Sequence, residues 1–155
     1  MGLIADFVVA APEDALQYES LLERGNAVPP DRYQRAQYKN FTPLALGFLW
    51  AILRSEKWDV ERHRLEDVSH TDETWLQRLP DELVNLISTC DEAAASTVTE
   101  AWAQHEEVPG NSDELRPVLV DLKHLAIQVR NADGAYICGF RYKILMTSPS
   151  NGCRL

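Results

Sequence analysis

The sequence predicts a predominantly helical α+β domain in which about five helices lie between an N-terminal and a C-terminal strand. Residues 2–9, GLIADFVV, are rich in branched and aromatic residues, as strands are. Residues 135–146, AYICGFRYKILM, alternate their side chains with the period of two that a strand requires. Because a lone strand leaves backbone groups unpaired, we expect the two terminal strands to pair in a small sheet, within one chain or across a dimer.

Two helices are predicted in the first third of the chain. The helix over residues 12–24 begins with a proline followed by two acidic residues, a pattern typical of a first turn. Residues 32–41 are polar with interspersed aromatics, and we interpret them as a short helix or an ordered loop. Thr42 and Pro43 then provide an N-cap and a first-turn proline. The following residues 44–53 are apolar on every side, which predicts a central helix covered all round.

Two more helices are predicted between residues 79 and 108. The first starts near Asp81, where acidic side chains favour the positive end of the helix dipole. Its buried stripe has the spacing i, i+3, i+4, i+7 and consists of Leu83, Leu86, Ile87 and Cys90. Thr89 and Glu92 have the spacing of a capping box, which predicts that the second helix begins there.

The longest helix is predicted to begin at Asn111 or Ser112 and to end at Gly134. Pro117 lies inside this range, and we expect it in the first turn because proline breaks the hydrogen-bond ladder further inside a helix.

Length and composition predict one soluble globular domain. A chain of 155 residues, 45% of them hydrophobic, is long enough for a core of its own, which we assign to residues 1–146. Residues 147–155 are expected to form a mobile tail. Neither a signal peptide nor an apolar run long enough to cross a bilayer is recognisable. The three cysteines form no C-x-x-C pair, so we expect reduced thiols and a cytoplasmic protein.

The charge of the chain is concentrated in one segment. The formal net charge is −9, which argues against nucleic acids and anionic membranes as partners. Residues 81–114, called the acidic segment below, contain nine Asp or Glu and no Lys or Arg. The remaining positions hold 15 acidic and 15 basic residues, which cancel. Acidic residues in helix first turns explain part of the segment, but not the lack of any basic residue in it.

Residues 60–75, VERHRLEDVSHTDETW, resemble a metal site in residue type. If a helix continued through them, His63 and Asp67 would share one face, with His70 one turn further on. Imidazole and carboxylate together suit zinc, manganese or iron, so the candidate metal ligands are His63, Asp67, His70 and Asp72. Arg62 and Arg64 flank the first histidine and repel a cation, and mixed charge clusters are usually solvated surfaces.

Other catalytic patterns have little support. No nucleophile elbow and no glycine-rich phosphate loop is present. His105 precedes Glu106 and Glu107 near a predicted helix end, where a histidine responds to pH. The same position is typical of a side chain that interacts only with the helix dipole.

Two functional hypotheses follow from these patterns. The first, which the sequence favours, is a non-enzymatic regulatory protein, inhibitor- or immunity-like, that presents an acidic helical face to a basic protein partner. It needs no cofactor, acts as a monomer or homodimer, and uses as partner-binding residues Asp91, Glu92, Glu100, Glu106 and Glu107. The second is a small metal-binding protein or metal-assisted hydrolase with a divalent cation at His63, Asp67, His70 and Asp72.

Overall fold

The computed structural model describes residues 2–10, 17, 34–70, 74–131 and 136–143. Its elements in chain order are β1 (Gly2–Ala10), β2 (Gln34–Lys39), α1 (Pro43–Leu53), β3 (Glu66–His70), β4 (Thr74–Arg78), α2 (Asp81–Thr89), α3 (Glu92–Trp102), α4 (Ser112–Asn131) and β5 (Tyr136–Lys143). Helices and strands together confirm the α+β class. Within these ranges no helix is long and apolar enough to cross a membrane. The helix predicted over residues 12–24 lies outside the described residues apart from residue 17, and so does the tail at 147–155.

The strands form one five-stranded sheet in the order β2-β1-β5-β4-β3, with every neighbouring pair antiparallel. The terminal strands β1 and β5 pair with each other, from Gly2 opposite Lys143 to Ala10 opposite Tyr136. They pair at the centre of a sheet that is larger than the sequence predicted. Strand β1 is accordingly buried on both faces, with Phe7 in the helix-side core and Val8 on the opposite face.

Three strands were missed by the sequence patterns. Residues 34–39 form β2 instead of a helix or loop, and residues 66–70 and 74–78 form the paired strands β3 and β4, whereas the metal hypothesis required a helix through this stretch. Strands β2 and β3 are the two edges of the sheet, where exposed positions favour charged and polar side chains. Their apolar alternation is therefore weak, although Ala36 and Tyr38 of β2 do pack against the core.

Helix α1 forms the centre of the core, as predicted. The Thr42 hydroxyl accepts a hydrogen bond from the Ala45 backbone N–H at 3.3 Å, and Pro43 occupies the first turn. Gly47 lets the segment before β3 approach closely, because a Cβ atom at this position would lie 2.8 Å from the His63 carbonyl oxygen. On the other side, the buried Trp102 indole donates a hydrogen bond to the Ala45 carbonyl at 2.8 Å.

The start of α3 differs in detail from the prediction, whereas α4 starts where it was predicted to start but holds Pro117 in a different turn. Asp91, not Thr89, is the N-cap of α3, and its carboxylate accepts from the Ala94 N–H at 2.7 Å. Helix α4 begins with a capping box in which Asn111 and Glu114 exchange side-chain and backbone hydrogen bonds of 2.9 and 3.2 Å. Pro117 is the sixth residue of α4, so it lies in the second turn instead of the first.

Candidate interaction surface

Five acidic residues between positions 56 and 82 are held in ion pairs with arginine. The carboxylates that pair with arginine belong to Glu56, Glu66, Asp67, Asp81 and Glu82. The shortest pairs are made by Arg78, whose two terminal nitrogens lie 2.6 Å from Glu66 and 2.6 Å from Asp81. These contacts fasten the β3–β4 hairpin to the start of α2.

A second ion-pair cluster surrounds Trp50 at the end of α1. One Glu82 oxygen accepts hydrogen bonds from the Arg62 guanidinium and from the Trp50 indole, each at 2.8 Å. The Arg62 guanidinium also lies over the Trp50 ring, 5.0 Å from its centroid. The hydrogen bond from Arg62, followed by that from Trp50, lowers the pKa of Glu82. The cluster is a structural connection between α1, α2 and the loop before β3.

His63, the first predicted metal ligand, is a buried structural residue of this loop, with 4% of its surface exposed. Its Nδ1 atom accepts a hydrogen bond from the Asp59 backbone N–H at 3.0 Å and lies 3.2 Å from the Asp59 carbonyl oxygen. Nε2 donates to the Glu56 carboxylate at 3.0 Å. This hydrogen bond is the main reason that the pKa of Glu56 is lowered. Both ring nitrogens are therefore engaged within the protein.

The other predicted metal ligands are not brought to His63 by a helix, because residues 66–70 form strand β3. The Asp67 carboxylate accepts from the Gln77 amide at 2.7 Å, across the hairpin. The His70 side chain and all of Asp72 lie outside the described residues. Among the described residues, no group of three or more His, Cys, Asp or Glu side chains is arranged to hold a metal ion. The four-residue metal set stays a prediction.

The five predicted partner-binding residues are all exposed. Asp91 and Glu92 lie at the start of α3, Glu100 lies in its last turns, and Glu106 and Glu107 lie in the tight turns that follow. In the part of the chain that the structure describes, none of these carboxylates forms an ion pair, in contrast to the acids around Trp50 and Arg78. The sequence has no basic residue in the acidic segment, and in the structure these five acidic side chains have no ion-pair partner among the described residues.

Basic side chains of α4 reach the acidic segment, but they donate hydrogen bonds to uncharged oxygens and not to carboxylates. Arg116 donates to the Ser96 hydroxyl at 2.8 Å, and Lys123 donates to the Cys90 carbonyl at 2.6 Å. Both also line a groove of about 240 Å³ that contains Asp91 and Glu92. Their charges partly compensate the acids at the start of α3.

No such compensation is seen for Glu100, Glu106 and Glu107, which we call the uncompensated acids. Among the described residues, no basic side chain bonds to any of them, and the groove that holds Arg116 and Lys123 does not include them. At the end of α3 and in the turns after it, the negative charge of these three acids is therefore not offset by a bonded basic side chain of the described residues.

The turns that carry Glu106 and Glu107 are held in place by His105. Its ring stacks on Phe48 of α1, with centroids 3.9 Å apart and an interplanar angle of 9°. The Phe48 ring also contacts Trp58, with the ring centroids 5.0 Å apart. The Val108 N–H bonds to the His105 carbonyl at 3.1 Å and closes the turn. His105 therefore positions two acids, a role that its sequence context did not indicate.

A second groove, of about 490 Å³, runs between the ends of α1 and α2 and the outer side of α3. We call it the α1–α3 groove; its apolar wall consists of Ile52, Leu53, Leu86, Ala94, Val98 and Ala101. Helix α1 was expected to be covered all round, but only residues 45–51 are buried, and Ile52 and Leu53 remain partly exposed along the groove. Sequence periodicity gave no signal for this opening.

Comparison with protein-family models, curated proteins and solved structures finds no match to this chain. The functional argument therefore depends on the geometry of the chain itself.

Proposed function

We propose that this chain is a non-enzymatic protein-binding protein that presents the uncompensated acids to a basic protein partner. The contrast in ion pairing supports this proposal. Glu66, Asp81 and Glu82 pair with arginines at 2.6–2.8 Å, whereas Glu100, Glu106 and Glu107 have no basic partner among the described residues. Fixed, unpaired charges of one sign raise association rates with a partner of opposite sign.

The surroundings of these acids also support a binding surface. Glu100 lies on a regular helix, and Glu106 and Glu107 lie in turns closed by backbone hydrogen bonds and by the stacked His105. Charges held on a fixed framework lose little conformational entropy when a partner binds. The proposal includes an inhibitor- or immunity-like role for a cytoplasmic monomer or homodimer. Nucleic acid and anionic membrane are disfavoured as partners by the same charge.

Affinity capture followed by measurement with the purified partner tests the proposal. The immobilised protein is used to capture partners at low salt, and each captured protein is then purified and titrated against wild type and Glu100→Lys/Glu106→Lys/Glu107→Lys. We expect a basic partner whose binding weakens at least about 100-fold in the triple variant, since close like charges replace attraction by repulsion. A partner that stays bound at high salt and to the triple variant contradicts the proposal.

Single substitutions provide a matched control. Glu107→Lys changes one uncompensated acid, and Glu61→Lys makes the same change at an exposed acid outside the acidic segment. Both variants change the net charge by the same amount. We expect only Glu107→Lys to weaken binding beyond the small shift that net charge alone produces. Equal effects of the two variants would show that binding depends on total charge and not on this surface.

A further inference from the structure

We infer that the α1–α3 groove receives the apolar face of a basic amphipathic helix from the partner. This inference rests on the proposed function and assigns a shape to the partner. The groove and one of the uncompensated acids share helix α3, since Ala94, Val98 and Ala101 contribute to the apolar wall and Glu100 lies next to Ala101.

The groove has the length of a helical recognition site. Its α3 wall extends from Ala94 to Ala101, a separation of seven positions or about 10 Å of helix. Apolar residues at positions i, i+3 or i+4, and i+7 of a partner helix span the same distance. The wall residues on α3 are small, which lets a partner backbone approach, while Leu53 and Leu86 provide larger apolar contacts on the opposite side.

Charge complementarity identifies the occupant. Asp91 lines one end of the groove, where Arg116 and Lys123 offset part of its charge. Glu100 immediately precedes the lining residue Ala101 at the other end, while α3 itself carries no basic residue. An amphipathic helix with Lys or Arg beside its apolar stripe satisfies both the apolar wall and the acidic ends. A second copy of this chain is a poorer occupant, because two chains with a net charge of −9 repel each other.

Three labelled peptides of 14 residues test the inference by fluorescence anisotropy with the full-length protein. The first has Leu at i, i+4, i+7 and i+11 and Lys elsewhere; the second has the same composition with the Leu residues scattered; the third replaces Lys by Glu. We expect the first peptide to bind at least about tenfold more tightly than the second, and the third not to bind. Equal binding of the first two peptides, binding of the Glu peptide, or no binding by any peptide overturns the inference.

Two phenylalanine substitutions locate the binding site. Ala94→Phe fills the groove, and Ala93→Phe adds the same side chain to a neighbouring exposed position that lines neither groove. We expect Ala94→Phe to weaken binding of the Lys/Leu peptide at least about tenfold and Ala93→Phe to leave it unchanged. Equal effects overturn the inference. If the partner captured above is sensitive to Glu107→Lys but not to Ala94→Phe, the proposed function stands and the groove assignment fails.

Discussion

Replacing His63 by alanine distinguishes a structural histidine from a metal ligand. The substitution removes the hydrogen bonds to Glu56 and to the Asp59 backbone N–H, both at 3.0 Å, and the contact of the ring with Trp50 at 5.5 Å. Two hydrogen bonds of about 1 kcal/mol each and the cavity left by a buried ring add to roughly 3 kcal/mol. For a chain of this length, that loss lowers the melting temperature by about 6–12 °C.

Urea denaturation with and without EDTA measures this effect. We expect His63→Ala to lower the free energy of unfolding by the same amount in both conditions, because the hydrogen bonds do not involve a metal. His124→Ala, at an exposed position of α4, is the matched control and should stay within about 0.5 kcal/mol of wild type. A loss below about 1 kcal/mol contradicts the structural role, and a loss that disappears in EDTA supports the metal hypothesis instead.

Three further predictions concern the framework. Gly47→Val should lower the free energy of unfolding, measured by urea denaturation, by about 2 kcal/mol, because the added Cβ would lie 2.8 Å from the His63 carbonyl oxygen. An unchanged free energy of unfolding would contradict that close approach. Burial, followed by the hydrogen bond to Asp121, raises the pKa of Tyr38, so its contribution to stability is complete below pH 10 and is lost as the pH rises further. Tyr38→Phe should therefore lose less stability than wild type between pH 9.5 and 11, and parallel declines would refute this. Asp91→Ala should lower the stability measured by thermal denaturation by about 1 kcal/mol, because the N-cap hydrogen bond of α3 is lost. Asp91→Asn should keep most of this stability, because its side-chain oxygen can still accept the bond. Equal losses in the two variants would exclude the cap as the cause.

Local rules were sufficient to predict most helices. The N-cap and first-turn proline of α1 and the acidic start of α2 are encoded by neighbouring residues. The β3–β4 hairpin was not predicted, because edge strands such as β3 carry charged residues whose pattern is also compatible with a surface helix. Pro117 shows a related limit. The start of α4 at Asn111 or Ser112 was predicted, but that start places this proline in the second turn and not in the first.

The candidate surface was predictable as a composition but not as a geometry. The acidic segment is visible in the sequence, whereas ion pairing is a non-local property: Arg62 and Glu82 are 20 residues apart and Arg78 and Glu66 are 12 apart. The metal hypothesis for residues 60–75 arose because the hydrogen-bond partners of these side chains cannot be read from the sequence. Only the fold reveals that His63 turns inward to Glu56, and that the α1–α3 groove opens beside α3.

The salt dependence of partner binding tests the central claim most directly. The dissociation constant of the purified partner is measured from 50 to 500 mM salt for wild type, Glu107→Lys and the control Glu61→Lys. We predict that wild type and Glu61→Lys weaken steeply and in parallel with salt, while Glu107→Lys binds more weakly at low salt and with a shallower slope, because salt screens exposed charges. Three superimposable curves, or a wild-type curve independent of salt, would contradict the claim that the uncompensated acids bind the partner.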